Sequence, residues 1–490
     1  MNKQIRTYAA PLLLSAGVAF SQPTWDEGES FDDFREEWNG WISAIPEDQK
    51  YAHESQKLHD EVFDTLTQPN PDFDGWTVMQ LAAPGNEYWE YADGVFIDHR
   101  AYFDRAYKLA TRTYTGVEFP DRSAYESADV TPAEEVEAYS AQVSTAINNL
   151  RLLLVSHLKY LAYSGDTDGA IDRLRVVSQL YDPKDRIYSD HLHATSLGHW
   201  AVCGAIEEML ASEHIQFTES QLAYLQLLVA SLEYPPLDTM VQFQNRVAYE
   251  TWRLEYSEGQ YDPDFTINVI EQADVFHDWF ESDPPLVPRP DPIPDIPLAE
   301  PADQFQMVQK ITKAFMRDLS ERTYRKGHLH FDNAMSACFE APGEIDRHAI
   351  AYGHTRLWRL QLITYLKYQA ENQYLQVVIA LHRHHARHGE WPLRLVELDP
   401  EVQSVPAVDF FSCQPLGYER KDEEPFLWAF GPDRDDDGGV WMRPSNEFVA
   451  ENFEIRLWMT NSQFESLTKY QREQLDGDVF ILPARSTQID

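Results

Sequence analysis

The sequence is short of cysteine, of basic residues and of long apolar runs, and each shortage excludes something. Cys203, Cys338 and Cys413 are the only cysteines in 490 residues, and no two form a CxxC pair. They allow one disulfide at most, which excludes a disulfide framework and a structural zinc site and leaves three buried thiols as the expectation. Lys and Arg number 40 against 81 Asp and Glu, a formal charge of −41. Nucleic acid is excluded as a partner, because gripping its backbone needs basic side chains that displace counterions. Anionic lipid is disfavoured for the same reason, and the acidic excess reads as a solvated surface. The longest apolar stretch beyond the N-terminus, Leu150 to Tyr163, is broken by Arg151, His157 and Lys159. It falls short of the ~20 apolar residues that a spanning helix needs. Catalytic signatures are missing as well: there is no GxSxG elbow, no GxxxxGK[ST] phosphate loop, no GxGxxG between a strand and a helix, and no HExxH.

What is present begins with an export signal. Lys3 and Arg6 precede a short apolar run from Tyr8 to Phe20, and Ala19 and Ser21 supply small residues before a cut expected after Ser21. The mature product is then expected outside the cytoplasm, periplasmic or extracellular, with no transmembrane segment. A hydrophobic content of 43% with 13% aromatic residues supplies enough apolar surface to fold.

Most of the chain has helical periodicity. Thr131-Pro132-Ala133-Glu134 is a start signal: a capping Thr, Pro at the first helical position and Glu three residues after the cap. The helix it opens carries Leu150, Leu153, Leu154, His157, Leu158 and Leu161 on one face, with His157 read as a hydrogen-bonded core residue. Gly165-Asp166 breaks it, and further helices are expected over 170–180, 190–210 and 221–232, the last opened by a capping box of Thr218 and Gln221. Residues 31–113 share the pattern but are richer in Trp, Tyr and Asp. Similar lengths and short links point to an antiparallel array of helical hairpins.

From Pro284 to Pro301, eight of eighteen residues are proline, which blocks helix and marks a linker or an extended strap. Helices are expected again over 302–319 and 345–388, the second with a stripe of Leu362, Leu366, Ala370, Tyr374, Val377 and Leu381 and ended by Gly389. Short strands are expected at 415–420, 425–430 and 479–482.

The run Ala380-Leu-His-Arg-His-His-Ala-Arg-His-Gly-Glu-Trp-Pro392 is followed by Leu395, Leu398, Val405-Pro406, Asp409-Phe410, Pro415-Leu416, Tyr418 and Phe430-Gly431-Pro432-Asp433. Over about 100 residues this order resembles the periplasmic part of type II secretion major pseudopilins, and the whole chain looks like uncharacterised exported bacterial proteins that carry this module after a helical region. The resemblance implies a long helix, a His-Gly-x-Trp-Pro turn and a small sheet whose last loop binds calcium. The prepilin leader with its cleavage-site Gly is absent, so assembly into a fibre is not expected.

Asp433, Asp435 and Asp437 with Gly438 match the first positions of a calcium loop, in which hard oxygens surround the ion. Pro444 stands where a helix-loop-helix hand needs its bidentate Glu, so an irregular site, completed by carbonyls or Glu447, is the expectation. His382, His384, His385 and His388 form a cluster in which His385 and His388 stand one turn apart, near enough to share a metal, although an exposed solvated face is the plainer reading. His191, His193, His199 and Cys203, and His328, His330 and Asp332, are further ligand sets with equally plain packing explanations.

The expected fold is therefore mainly α: an antiparallel helical-hairpin array over 22–283, a Pro-rich linker or strap over 284–301, and a small α+β pseudopilin-like C-terminal module over 302–490. The expected function is binding or scaffolding without catalysis, with an unknown protein or envelope component as partner and calcium as the only cofactor the residues suggest. The competing reading is a secreted polysaccharide-active enzyme on a helical toroid, which Trp76, Trp89, Tyr91 and His99 in one stretch suggest. No carboxylate pair stands out among the 81 acidic residues to serve it.

Overall fold

The computed structural model describes Trp25 and residues 29–66, 75, 78–79, 82–121, 130–180, 191–232, 237–258, 299–320, 338, 347–403, 405–410, 414–421, 423–430 and 479–482. The expected signal and nearly all of the Pro-rich segment lie outside them. Within them the chain is mainly helical. The N-terminal stretch folds as α1 (Phe31–Ala44), α2 (Ala52–Leu66), α3 (Trp89–Asp98) and α4 (Arg100–Ala110). Ser30 opens α1 by accepting the Asp33 N–H, and the buried Phe31, Phe34, Trp38, Trp41 and Ile42 fall on one helical face.

α5 (Pro132–Tyr163) starts where its sequence signal stands. Thr131 accepts the Glu134 N–H, and the Glu134 carboxylate accepts the Thr131 N–H at 2.7 Å. Gly165, at φ +87°, turns the chain into α6 (Thr167–Leu180). So short a link folds α6 back along α5, and the two helices pack closely. α7 (His191–Ala211), α8 (Glu219–Ala230) and α9 (Leu237–Glu258) follow, and the Thr218–Gln221 capping box opens α8. After the Pro-rich segment come α10 (Pro301–Ser320) and α11 (Ala349–His388). No described helix is long and apolar enough to cross a membrane.

Two long helices organise the packing. α5 touches α2, α3, α4, α6, α7 and α9, whereas α11 touches α7, α8 and α10. α7 contacts both and so joins the two halves. One hydrophobic core runs unbroken from Tyr51 in the first helices to Ala429 in the sheet. A second, smaller cluster is aromatic: Phe31, Phe34, Trp38, Trp41, Phe119 and Tyr139 interlock where α1 meets the first turns of α5.

The sheet is small and antiparallel, in the order β1 (Gly417–Lys421), β2 (Glu424–Ala429), β3 (Val479–Leu482). Pro425, Leu427 and Ala429 alternate inward along β2, and β3 lies against α11. Gly417 pairs with Trp428, and a Cβ at 417 would run into the indole, so only glycine fits this register.

Candidate functional site

The last turns of α11 carry a dense polar constellation. Gly389 caps the helix at φ +76°, a left-handed conformation that glycine adopts at no steric cost, and its N–H donates to the His385 carbonyl at 2.8 Å. The chain then doubles back so that Trp391 is gripped by two imidazoles. His385 stacks on the indole with ring centroids 4.5 Å apart, and His382 meets it edge-on at 5.0 Å. Strand β1 holds the same turn from the other side. Tyr418 Oη donates to the Pro392 carbonyl and Arg420 Nη1 to the Trp391 carbonyl, both at 2.8 Å. Burial, and then the neighbouring His385, depress the His382 pKa to about 4, so the clasp works with a neutral ring at pH 7.

Beside it, α11 is tied to α8. Arg383 and Arg387 converge on one oxygen of Glu219, the first residue of α8, with their Nη2 atoms at 2.7 and 2.9 Å. Arg387 Nη1 also reaches Asp399 Oδ2 at 3.0 Å, and Arg383 Nη1 reaches Gln226 Oε1 at 2.6 Å. The Gln226 amide in turn donates to the Val402 carbonyl at 2.8 Å. Burial alone would raise the Glu219 pKa, but the two guanidiniums outweigh it and hold the carboxyl below its ordinary range. Further along, Tyr374 Oη donates to the fully buried Asp409 at 2.8 Å and accepts the Phe410 N–H at 3.1 Å. Helix, turn, loop and sheet are thereby fastened together.

These positions correct part of the sequence reading. The histidine-rich face is divided between the Trp391 clasp and solvent, and His385, expected beside His388, is spent on Trp391. His388 lies instead next to His384, with ring centroids 4.4 Å apart. Among the described residues no three His, Cys, Asp or Glu side chains gather to hold a metal. Asp433, Asp435 and Asp437 lie outside the described residues, as do Glu447, Trp76, Cys413, His328, His330 and Asp332 and the side chains of His191, His193 and His199. Cys203 and Cys338 are buried, as expected. His157 is in the core, but its Nδ1 has no hydrogen-bond partner. Trp89 is half-buried against Tyr160 and Tyr163, and Tyr91 is exposed.

Comparison with protein-family models, with curated proteins and with solved structures finds no match.

One pairing was invisible in the sequence. Glu207 stands one turn beyond Cys203 on α7, open to solvent yet crowded by protein on most sides, and it feels the charge of Glu371 on α11. Burial first, and then Glu371, raise the Glu207 pKa to about 7. A carboxyl group at that value keeps its proton part of the time at neutral pH, as a general acid must. The i, i+4 spacing of Cys203 and Glu207 is legible, but Glu371 lies far away in the chain and only the α7–α11 contact brings it in. Glu208, its neighbour on α7, turns toward α5 and is held by Lys159 at 2.9 Å and by the Tyr163 hydroxyl at 3.2 Å.

Proposed function

We propose that the chain is an exported binding or scaffolding protein, acting outside the cytoplasm, in which a pseudopilin-like C-terminal module is fixed rigidly to a helical array. The observation that carries this reading is the double fastening at the end of α11. Trp391 is held between two imidazoles and β1, and Glu219 joins α8 to two arginines of α11. Ordering so many polar side chains costs conformational entropy, and the return is a fixed orientation between helices and sheet. A protein that presents a surface to a partner gains from such rigidity, because less order is lost on binding. In this reading Asp433, Asp435 and Asp437 bind calcium and stiffen the segment between β2 and β3, a structural role. A ligand bound only by the folded state stabilises it by about 2.7 kcal/mol at a hundredfold excess over Kd. The thermal midpoint should therefore rise with calcium and lose that rise in Asp435→Ala. No shift at millimolar calcium would remove the ion from the reading.

A second reading rests on Glu207 and Glu371: a polysaccharide-active hydrolase or lyase with Glu207 as the acid. One assay separates the two. The mature chain is incubated with a panel of neutral and acidic polysaccharides and the release of new chain ends is measured. Scaffolding predicts no product, with a stoichiometric protein or envelope component recovered after cross-linking in the native envelope. Product release that Glu207→Gln abolishes would overturn scaffolding in favour of catalysis.

A further inference from the structure

Four histidines in seven residues look like one cluster in the sequence, yet helical geometry splits them into two pairs with different work. His382 and His385 are committed to Trp391. His384 and His388, four residues apart, stand one turn above the other on a neighbouring face. Their ring centroids are 4.4 Å apart and the planes are tilted by 43°. His388 is exposed and His384 half-buried, so the pair opens to solvent. The Nδ1 atom of His384 is buried and has no hydrogen-bond partner. An imidazole nitrogen left unsatisfied beside a second imidazole is unusual, because buried polar atoms are normally paired.

We propose that His384 and His388 form a two-imidazole chelate for a divalent transition ion of the copper, nickel and zinc class. Imidazole nitrogen suits these ions, and among them Cu2+ binds tightest. Metal–nitrogen bonds of ~2.0–2.1 Å at two adjacent positions place the ring centroids ~4.5 to 5 Å apart, close to the 4.4 Å separation of this pair. Glu390, Glu397 and Asp399 act on His384 with negative charge, which complements a bound cation. They are engaged by Arg420, Arg394 and Arg387 and remain outside the inner sphere. Water completes the coordination, leaving positions open for exchange or for a ligand from a partner. Calcium prefers oxygen donors, which keeps this site chemically separate from the acidic loop at 433–437. Burial, and then His388, hold the His384 pKa below its ordinary value.

The test is a Cu2+ titration of the chelator-treated mature chain against a chromophoric competitor, with electron paramagnetic resonance of the one-equivalent complex. One equivalent should bind with nitrogen hyperfine structure from two imidazoles. His384→Gln and His388→Gln should each weaken binding by roughly a hundredfold, since the second imidazole of a chelate binds intramolecularly. His214→Gln, on the loop before α8, should leave it unchanged. Glutamine is a good helix former at these outer positions, so both variants keep the fold. Unchanged Cu2+ affinity in both variants, or a wild-type spectrum without two equivalent nitrogens, would overturn the proposal.

Discussion

His157 lies inside the α5 face, 8% exposed, with its ring against Phe103 at 4.8 Å and Phe96 at 6.0 Å. Burial, and then the charge of Arg173, lower its pKa to about 4. The unfolded chain restores a value near 6.5. Between those values the unfolded state binds more protons than the folded state, so folding weakens as the pH drops. The contribution of His157 is fully present above about pH 6.5 and is lost progressively down to pH 4, a total of about 3 kcal/mol. His354 and His382, also depressed to about 4 by burial, add to the same slope. His157→Leu keeps the volume, removes the unsatisfied Nδ1 and deletes one titrating group. Urea unfolding at pH 7 and pH 5 should show the wild type losing about 2 kcal/mol more than the variant between the two. Equal losses would mean that this imidazole is not the group being protonated.

At the scale of elements, signals carried by a few adjacent residues gave the structure almost directly. The capping boxes at Thr131 and Thr218, the break at Gly165 and the stop at Gly389 all stand where the residues announce them, because each depends on local backbone hydrogen bonds. The three strands stand within a few residues of the ranges 415–420, 425–430 and 479–482 expected for them. Legibility ended where an element's role depends on a distant partner. Glu219 reads as a first-turn acid and in fact joins two helices, and Glu207 is one of many carboxylates until α11 arrives. The four histidines read as a cluster because sequence proximity hides a rotation of about 100° per residue along a helix. The β1–β2 hairpin offers an element-level test, since its register puts Gly417 under the Trp428 indole. Gly417→Ala should destabilise the protein by about 1–3 kcal/mol through overpacking, measured by chemical denaturation. If alanine is accepted at no cost, the indole moves freely and the strand pairing is looser than described.

Over the whole molecule, the stretches before and after the Pro-rich linker or strap share one core. The hydrophobic core joins residues before that segment, among them Leu150, Leu174, Val202 and Leu225, to Val308, Ile379, Leu381 and Leu427 after it. α7 and α8 both pack on α11, and the Glu219–Arg383–Arg387 cluster and Gln226 seal the same boundary. Domains that melt separately keep separate cores and meet through smaller, more polar interfaces. A shared core couples the two halves, because separating them exposes apolar surface at roughly 25 cal/mol per Å2. Calorimetry of the protein should therefore show one transition, with calorimetric and van't Hoff enthalpies in agreement. Glu219→Ala should lower the midpoint of that single transition and not release a separate early peak, since the apolar contacts between α8 and α11 remain. Two resolved transitions in the wild type, or hydrogen exchange that opens 405–430 long before 132–230, would make the C-terminal module an independent unit. The rigid orientation on which the scaffolding reading rests would then be lost, and the acid pair on α7 and α11 would have to be assayed as the functional centre.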